Sequence, residues 1–397
     1  MIDLKIFSDD IEEAASEQIN TLVSLDAFKD SKIRIMPDVH AGKGCVIGFT
    51  ADLGEKVIPN IVGVDIGCGM LTAAFGNIDI DFEKLQNVIT EKIPSGKNVH
   101  EGRIVRFPEL QELYCYRDLR DTKRLERSIG TLGGGNHFIE IDQADNGSKF
   151  LVIHSGSRNL GKQVAEYYQH LAVEILQGKD VLLKAQDELI ARYKAEGRKA
   201  EIQDAIKELR KNYFAKETDI PSDLAYLTGE WREKYLHDMG ICQRFAAENR
   251  KRMALAIVEG MGWEPIDAFE TIHNYIDLDS NIVRKGAISA KKGEIVLIPI
   301  NMRDGCIVGI GKGNEDWNCS APHGAGRVMS RRVANEQVSL DEFKESMQGI
   351  WSESVNELTK DESPMAYRSI DKIVDKLEDT VDIIQVIKPI FNFKATE

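Results

Sequence analysis

An α+β fold is the architecture this 397-residue chain predicts, and three observations carry that expectation. Short apolar, β-rich runs punctuated by glycine occupy residues 33–76, 129–158 and 265–312. Charged segments with helical periodicity occupy 81–128 and 160–260. The two kinds of block are mixed without regular βαβ alternation, which favours mixed β-sheets over a doubly wound parallel sheet. No internal repeat, low-complexity segment or Pro/Gly/Ser linker divides the sequence, so residues 1–397 are expected to form one compact domain with a helical, partly exposed segment at about 160–260.

Each element follows from local chemistry. Residues 1–30 read as a short strand and a helix beginning near Ile11, with Ser8-Asp9-Asp10 as its cap. Val46-Ile47-Gly48-Phe49 and Ile61-Val62-Gly63-Val64 read as strands, and 81–128 as charged helix. Phe138–Ile141 and Phe150–Ile153 are the next strands. Within the helical part, 184–217 carries apolar residues at helical spacing under dense charge, the pattern of an exposed helical hairpin with a solvated face. Strands return over 265–312, one or two helices over 335–380, and a final strand pair over 381–394.

The bulk numbers narrow the function class. A net charge of −14 argues against a general nucleic-acid coat, although it leaves room for a local basic groove. The six cysteines form no CxxC pair, and a chain this long is no disulfide-stapled scaffold, so reduced thiols in the cytoplasm are expected. No basic n-region precedes an apolar run, and no run reaches the roughly 18 residues of a membrane span. No membrane partner is expected.

Chemistry concentrates in glycine-dense segments. In Gly63-Val64-Asp65-Ile66-Gly67-Cys68-Gly69-Met70, a turn allowed by the glycines brings a carboxylate and a thiol to one ion, a pair that suits a borderline divalent metal. The same run also fits a buried turn around a packed cysteine. Gly133-Gly134-Gly135-Asn136-His137-Phe138-Ile139-Glu140 lets backbone approach a ligand and offers an amide, an imidazole and a carboxylate. If the strand starts near Asn136, then Asn136, Phe138 and Glu140 share one face and His137 the other. The alternative is a glycine loop feeding a core strand.

Ile153-His154-Ser155-Gly156-Ser157-Arg158 ends an apolar strand in a histidine, hydroxyls and an arginine suited to phosphate oxygens, or else in a capped turn with a surface arginine. His273 is by itself as compatible with a hydrogen-bonded core residue as with a ligand. Arg284-Lys285-Gly286-Ala287 reads as a hairpin tip or a phosphate-facing pair. In Ala321-Pro322-His323-Gly324-Ala325-Gly326-Arg327, backbone N–H groups and a helix starting near Arg327 face an anion, with His323 as nucleophile or general acid. Metal-type residues beside a phosphate-facing imidazole suggest nucleotidyl or phosphoryl transfer.

Met36-Pro37-Asp38-Val39-His40, Val64–Gly69, Gly133–Phe138, His154–Arg158, Arg284–Ala287 and His323–Arg327, in this order, resemble the RNA-splicing ligase RtcB family. The resemblance runs from about residue 30 to the C-terminus. It implies an RtcB-like fold around a central metal site, with a helical insertion. It also implies a GTP- and manganese-dependent ligase that joins RNA ending in a 2′,3′-cyclic phosphate or 3′-phosphate to RNA with a 5′-hydroxyl, in RNA repair or tRNA splicing, with an archease-like activator as a further partner.

By motif, Asp65, Cys68, His137, His154 and His273 match the ligands of two Mn2+ ions with Cys68 bridging, and His323 the residue that carries GMP. Arg158 and Arg327 match phosphate-holding arginines. Asn136, Phe138, Ala325 and Gly326 match nucleotide contacts. Pro364-Met365-Ala366-Tyr367 is similar to the stretch whose tyrosine flanks the guanine, and Pro389–Lys394 to the closing segment whose lysine, here Lys394, reads the base. The chain departs from the family at Pro299-Ile300-Asn301-Met302-Arg303-Asp304-Gly305-Cys306, where Asn301 and Cys306 replace serines at the nucleotide and Met302 lies between them. Such a departure marks a divergent subgroup. It motivates an alternative, an end-capping or phosphohydrolase enzyme acting on RNA or DNA 3′-phosphate ends without sealing. A non-catalytic RNA-binding module is disfavoured because metal-type residues and a nucleophile are both present.

Overall fold

The computed structural model describes residues 2–213 and 216–395. Strand β1 (Asp3–Ile6), helix α1 (Glu13–Val23) and strands β2 (Lys32–His40), β3 (Ile47–Asp52) and β4 (Gly69–Phe75) open the chain. Helices α2 (Phe82–Lys92) and α3 (Thr122–Arg127) precede strands β5 (Phe138–Gln143) and β6 (Lys149–Ser155). Four helices follow: α4 (Arg158–Leu176), α5 (Lys179–Ala195), α6 (Ile202–Lys211) and α7 (Gly229–Met261). Then come β7 (Asp267–Ile272), β8 (Asn274–Asp277), β9 (Ile282–Lys285), β10 (Ala287–Ser289), β11 (Ile295–Asn301), β12 (Gly305–Gly311) and β13 (Ser320–Pro322). Helices α8 (Arg331–Gln337), α9 (Leu340–Ser346) and α10 (Ile370–Leu377) and strand β14 (Val381–Lys394) close it.

The expected α+β fold is found. A seven-stranded sheet runs β11-β12-β14-β5-β6-β4-β7, with antiparallel pairing throughout. A five-stranded sheet, β1-β2-β3-β9-β8, and a β10-β13 ladder lie beside it. Period-two alternation sets the two faces of the large sheet. Leu71, Ile139, Leu151, Ile153 and Phe391 pack under α2 and α7 against Leu85, Ile89, Met253 and Ile257. Met70, Phe150, Val152 and Ile387 face the other way, towards Leu297 and Val308. His154 continues this second face, opposite Met70 on one side and Phe138 on the other.

Helix α7 is the main internal strut. Tyr235, Met239, Cys242, Phe245, Ala246, Asn249, Met253 and Ile257 recur along one stripe of its buried residues, and Gly262 at φ 73° ends it with a backbone bond to Val258. By contrast, α5 buries only Gln186 and α6 no side chain at all, with Arg210 hydrogen-bonded to Gln186 between them. The expected hairpin at 184–217 therefore exists as two mutually packed helices, and its residues 214–215 lie outside the described ones.

Several local expectations are corrected. Helix α1 starts at Glu13, with Ser8 Oγ donating to the Asp10 carbonyl instead of capping it. Ile61–Val64 is not a strand: Pro59–Ile61 is a short 3₁₀ turn, which Pro59 favours at its start. Within 81–128 only α2 and α3 are α-helical, separated by two short 3₁₀ turns. The final strand pair is one long strand, β14, which pairs with β12 up to Ile387 and with β5 from Lys388. Pro389, which lacks an N–H, falls at the register shift where the ladder is already broken. Arg284 and Lys285 lie at no hairpin tip. Both are buried in β9, where Arg284 bonds Ser320 and Tyr275, and Lys285 bonds the carbonyls of Lys43 and Asn60.

Candidate active site

The antiparallel register gathers the metal-type residues at one end of the β5-β6-β4-β7 ribbon. Cys68 immediately precedes β4, His154 is in β6, His137 precedes β5, and His273 sits in the one-residue step from β7 to β8, where the chain passes between the two larger sheets. His273 N–H donates to the Cys68 carbonyl at 2.9 Å. Their potential ligand atoms form two groups, Cys68–His154–His273 and Asp65–Cys68–His137, each within 4.8 Å, and Cys68 belongs to both; a third group among the described residues, Glu140–Asp142–Cys306, shares no member with either.

Hydrogen bonding fixes the imidazoles in ligand form. A carbonyl only accepts, so His137 Nδ1 donates to Leu132 O (2.9 Å) and His154 Nδ1 to Asn136 O (3.1 Å), a tautomer in which Nε2 is the nitrogen free to offer a lone pair to a metal. His137 Nε2 then lies 3.0 Å from Asp65 Oδ2, and His154 Nε2 lies 3.3 Å from Cys68 Sγ and 3.1 Å from His273 Nε2. Lone pairs converge with few protons between them. His273 Nδ1 and Asp65 Oδ1, both buried, have no hydrogen-bond partner among the described residues. A cation resolves this arrangement: ligands about 2.0–2.1 Å from a tetrahedrally bound metal lie roughly 3.3 Å apart. The residues therefore fit a metal ion in each group.

Electrostatics agree. Burial, then the neighbouring His137, pushes His154 down to about 3, and burial, then His323, pushes His273 well below its usual range, so both rings are neutral. Glycine is required around this cluster. A Cβ on Gly156 would come within 2.1 Å of Asp65 Oδ1, and one on Gly133, at φ 91°, within 1.9 Å of Arg158 Nη1. Arg158 has φ 57°, a strained value for a non-glycine residue. Its Nε donates to Thr131 Oγ1 (3.0 Å) and its Nη2 to the Gly96 carbonyl (2.9 Å).

Beside the cluster is a cavity of about 250 Å³. Its floor is the sheet face carrying Asn136, Phe138, Glu140 and His154, as the period-two reading required, with Asn392 and Lys394 paired beside them in register. Asn301, Met302, Ala325, Gly326, Arg327 and Tyr367 also line it, as does His323, whose ring centroid is 4.9 Å from that of His273. His323 Nδ1 lies 2.7 Å from Asp38 Oδ2, so Nδ1–H donates to the carboxylate and Nε2 keeps its lone pair. The helix expected near Arg327 starts instead at Arg331, because Ser330 is the residue whose side chain caps it. Arg327 is held in an isolated bridge to Tyr367, with its guanidinium 5.0 Å from the Tyr367 ring centre.

Cys306 is not on the cavity wall. It is turned inward against Glu140 and Asp142, where burial, then the Glu140 charge, pushes Asp142 well above the usual range and keeps it protonated. Asn301 does line the cavity, but its side chain also closes its own loop, accepting from Arg303 and Asp304 N–H and donating to Asp304.

Residues with no role in the sequence reading complete the site. Asp38 lay inside a recognised motif without a function. Asn249 and Arg250 of α7 gave no signal beyond helical spacing, yet Arg250 Nη1 donates to the carbonyls of Gly67 and Ser155, and Asn249 holds Gly130, Thr131 and Gly156. Glu362, buried at 4 % exposure, receives Lys394 Nζ (2.8 Å), Tyr367 OH (2.8 Å) and Arg331 (2.7 Å). Its one sequence signal is its place two residues before Pro364–Tyr367.

Burial would raise Glu362, but Lys394, then Arg331, outweigh it and hold the carboxyl at about 2. A folded value below the unfolded one stabilises the protein above pH 4.5 and loses that contribution as pH falls towards 2, worth about 3 kcal/mol. Glu362→Gln is expected to be less stable by that order at neutral pH, with the gap narrowing below pH 4.5. Urea unfolding across pH measures this, and a pH-independent gap would contradict it.

All six cysteines are free, and among the described residues no helix is long and apolar enough to cross a membrane.

A family model described as tRNA-splicing ligase RtcB matches residues 18–118 and 115–395. The chain is 29% identical to the RNA-splicing ligase RtcB of Escherichia coli (strain K12) over 425 residues, 96% of this chain and 94% of that protein. It is 26% identical to the tRNA-splicing ligase RtcB of Archaeoglobus fulgidus, covering 92% of this chain and 87% of that one. Identity to the tRNA-splicing ligase RtcB of Thermococcus kodakarensis is 25%, covering 86% and 82%.

Proposed function

The chain belongs to the RtcB family and is an RNA ligase, and from that premise we propose that it seals RNA ends bearing a 2′,3′-cyclic phosphate or 3′-phosphate to 5′-hydroxyl ends, using GTP and Mn2+ and carrying GMP on His323. The observation that supports this most is the adjacency of two ligand groups sharing Cys68 to a cavity holding the Asp38–His323 pair.

Asp65, Cys68, His137, His154 and His273 would hold two Mn2+ ions, which supply Lewis-acid stabilisation of phosphate oxygens. Asp38 orients His323 and stabilises the positive charge that grows on its ring. His323 Nε2 attacks the α-phosphorus of GTP; the Nε2–P bond forms, the P–O bond to the β-phosphate breaks, and pyrophosphate leaves. Splitting the reaction this way replaces one hard step by two easier ones. A 2′,3′-cyclic phosphate end is first opened by water, which breaks the P–O2′ bond and leaves a 3′-phosphate and a 2′-hydroxyl. The RNA 3′-phosphate oxygen then displaces His323 from that phosphorus, and the 5′-hydroxyl oxygen, releasing its proton to water, displaces GMP from the RNA phosphate. Arg158 and Arg327 place guanidinium groups for phosphate oxygens. Asn136, Phe138, Ala325, Gly326, Asn301, Met302, Tyr367 and Lys394 contact the nucleotide, with Cys306 acting only from beneath through the Glu140–Asp142 pair.

The self-closed loop at Asn301 favours one second reading, in which the enzyme caps or trims 3′-phosphate ends without sealing. A single assay separates the two. With GTP, Mn2+ and RNA bearing 3′-phosphate and 5′-hydroxyl ends, with and without an archease-like activator, a sealed product is expected. Capped or dephosphorylated ends alone would replace the proposal by the second reading.

A further inference from the structure

We propose that a second, basic cavity, separate from the nucleotide cavity, binds the phosphodiester backbone of the RNA being joined; this rests on the ligase reading above. The cavity, of about 550 Å³, lies between the 96–99 loop, α3 and the start of α4. Its cations are Lys97, Arg120, Arg124, Arg158 and Lys162, and its only carboxylates are Asp121 and Glu166, a local balance of +3 (five minus two) on a chain of net charge −14.

Most of these cations lack a carboxylate partner, while Arg124 Nη2 donates to the Lys97 carbonyl and Arg158 to Thr131 and Gly96. Lys97, Arg120 and Arg124 take part in no ion pair among the described residues, and Lys162 reaches Glu166 only at 3.9 Å. The Asp121 carboxylate is already used, accepting the Arg124 backbone N–H at the start of α3. Exposed cations left unpaired around a concavity form a site for a polyanion.

Arg158 ties the cavity to the chemistry. Its guanidinium packs against Gly133, where an added Cβ would come within 1.9 Å of Arg158 Nη1 and 2.7 Å of His137 Nδ1, and it is clamped between Thr131 and Gly96. Gly96 N–H in turn donates to the Gly133 carbonyl (2.9 Å), so the cavity wall is fixed to the loop that carries Asn136 and His137. The ligand cluster thus has the nucleotide cavity on one side and, through Arg158, the basic cavity on another. A ligase must hold two polynucleotide strands as well as a nucleotide, and a backbone-binding groove leading to the cluster meets that need without reading sequence.

The test uses the full-length protein carrying Arg120→Glu, Arg124→Glu and Lys162→Glu together, with Arg120→Lys/Arg124→Lys as control. None of these residues touches the cluster or the nucleotide cavity. GMP transfer to the protein from GTP, with no RNA present, is expected to be unchanged, which also reports a correct fold. Affinity for short 5′-hydroxyl or 3′-phosphate oligoribonucleotides, titrated separately, is expected to fall on the order of 10²-fold, and the salt slope of log K to shrink by about 2, roughly 0.7 per lost contact. The strand more affected is the one seated in the cavity, and the lysine control keeps near-parental affinity and slope. Unchanged RNA affinity and salt slope with intact GMP transfer would overturn the cavity assignment alone. Binding of polyglutamate that is lost in the variant while RNA binding persists would overturn it in favour of an acidic protein partner. Absence of GMP transfer in the parent protein would instead overturn the ligase chemistry.

Discussion

His323→Ala is expected to abolish transfer of labelled GMP to the protein and to lower sealing by at least about 10⁴-fold, while both metal ions stay bound. The reason is positional. Two of the cavity-lining histidines, His40 and His323, stand outside both ligand groups; His40 Nδ1 is engaged by the Asp38 backbone carbonyl, whereas His323 Nδ1 is engaged by the Asp38 carboxylate. A carboxylate behind the ring sets the tautomer and stabilises the positive ring that forms on attack. Asp38→Asn offers a graded check. An amide can donate to Nδ1, which puts the proton on Nε2 and removes the attacking lone pair, so a loss of about 10²–10⁴-fold is expected with metal content intact. Radiolabel from [α-³²P]GTP retained on the denatured protein reads the first step, and elemental analysis reads the metal. A labelled adduct persisting in His323→Ala would reject the assignment.

Much of this site was legible before any coordinates, for a physical reason. Residues that must approach a ligand closely need glycine beside them, and Gly133 and Gly156 are positions where a Cβ would collide with Arg158 or Asp65. The glycine-dense runs therefore marked the loops, and the histidines and Cys68 within them marked the chemistry. Legibility failed where function depends on a partner distant in sequence. Asp38 acts through a ring 285 residues away, and Arg250 through carbonyls at Gly67 and Ser155. Glu362 receives Lys394, the last residue of β14, from 32 positions further along the chain. Arg284-Lys285 misled in the opposite sense: a charged pair next to glycine looked surface-exposed, but its hydrogen bonds to Ser320, Tyr275 and backbone carbonyls allow it to be buried. Cys306 was placed at the nucleotide by its position in a motif, whereas strand alternation turns it inward to Asp142.

The same geometry makes Cys68 the most exposing residue to change in the metal site. Cys68→Ala is expected to remove both metal ions and, with them, all sealing, whereas His273→Ala or Asp65→Ala should weaken chiefly the ion of its own group. Cys68 is the member common to the two groups, with Sγ 3.3 Å from His154 Nε2 and 3.5 Å from His137 Nε2. In the metal-free protein its thiol is held protonated, because burial and then the Asp65 charge raise it well above the usual range. Binding must therefore expel that proton, which makes metal uptake pH-dependent and stronger as pH rises. Cys68→Ser keeps the size but not an ionisable group, so it should behave like alanine. Metal content by elemental analysis and the spin-coupled resonance of paired Mn2+ are the measurements. One ion retained at full occupancy in Cys68→Ala would mean that the two groups do not share the thiolate, and the paired-metal reading would have to be replaced by two independent sites.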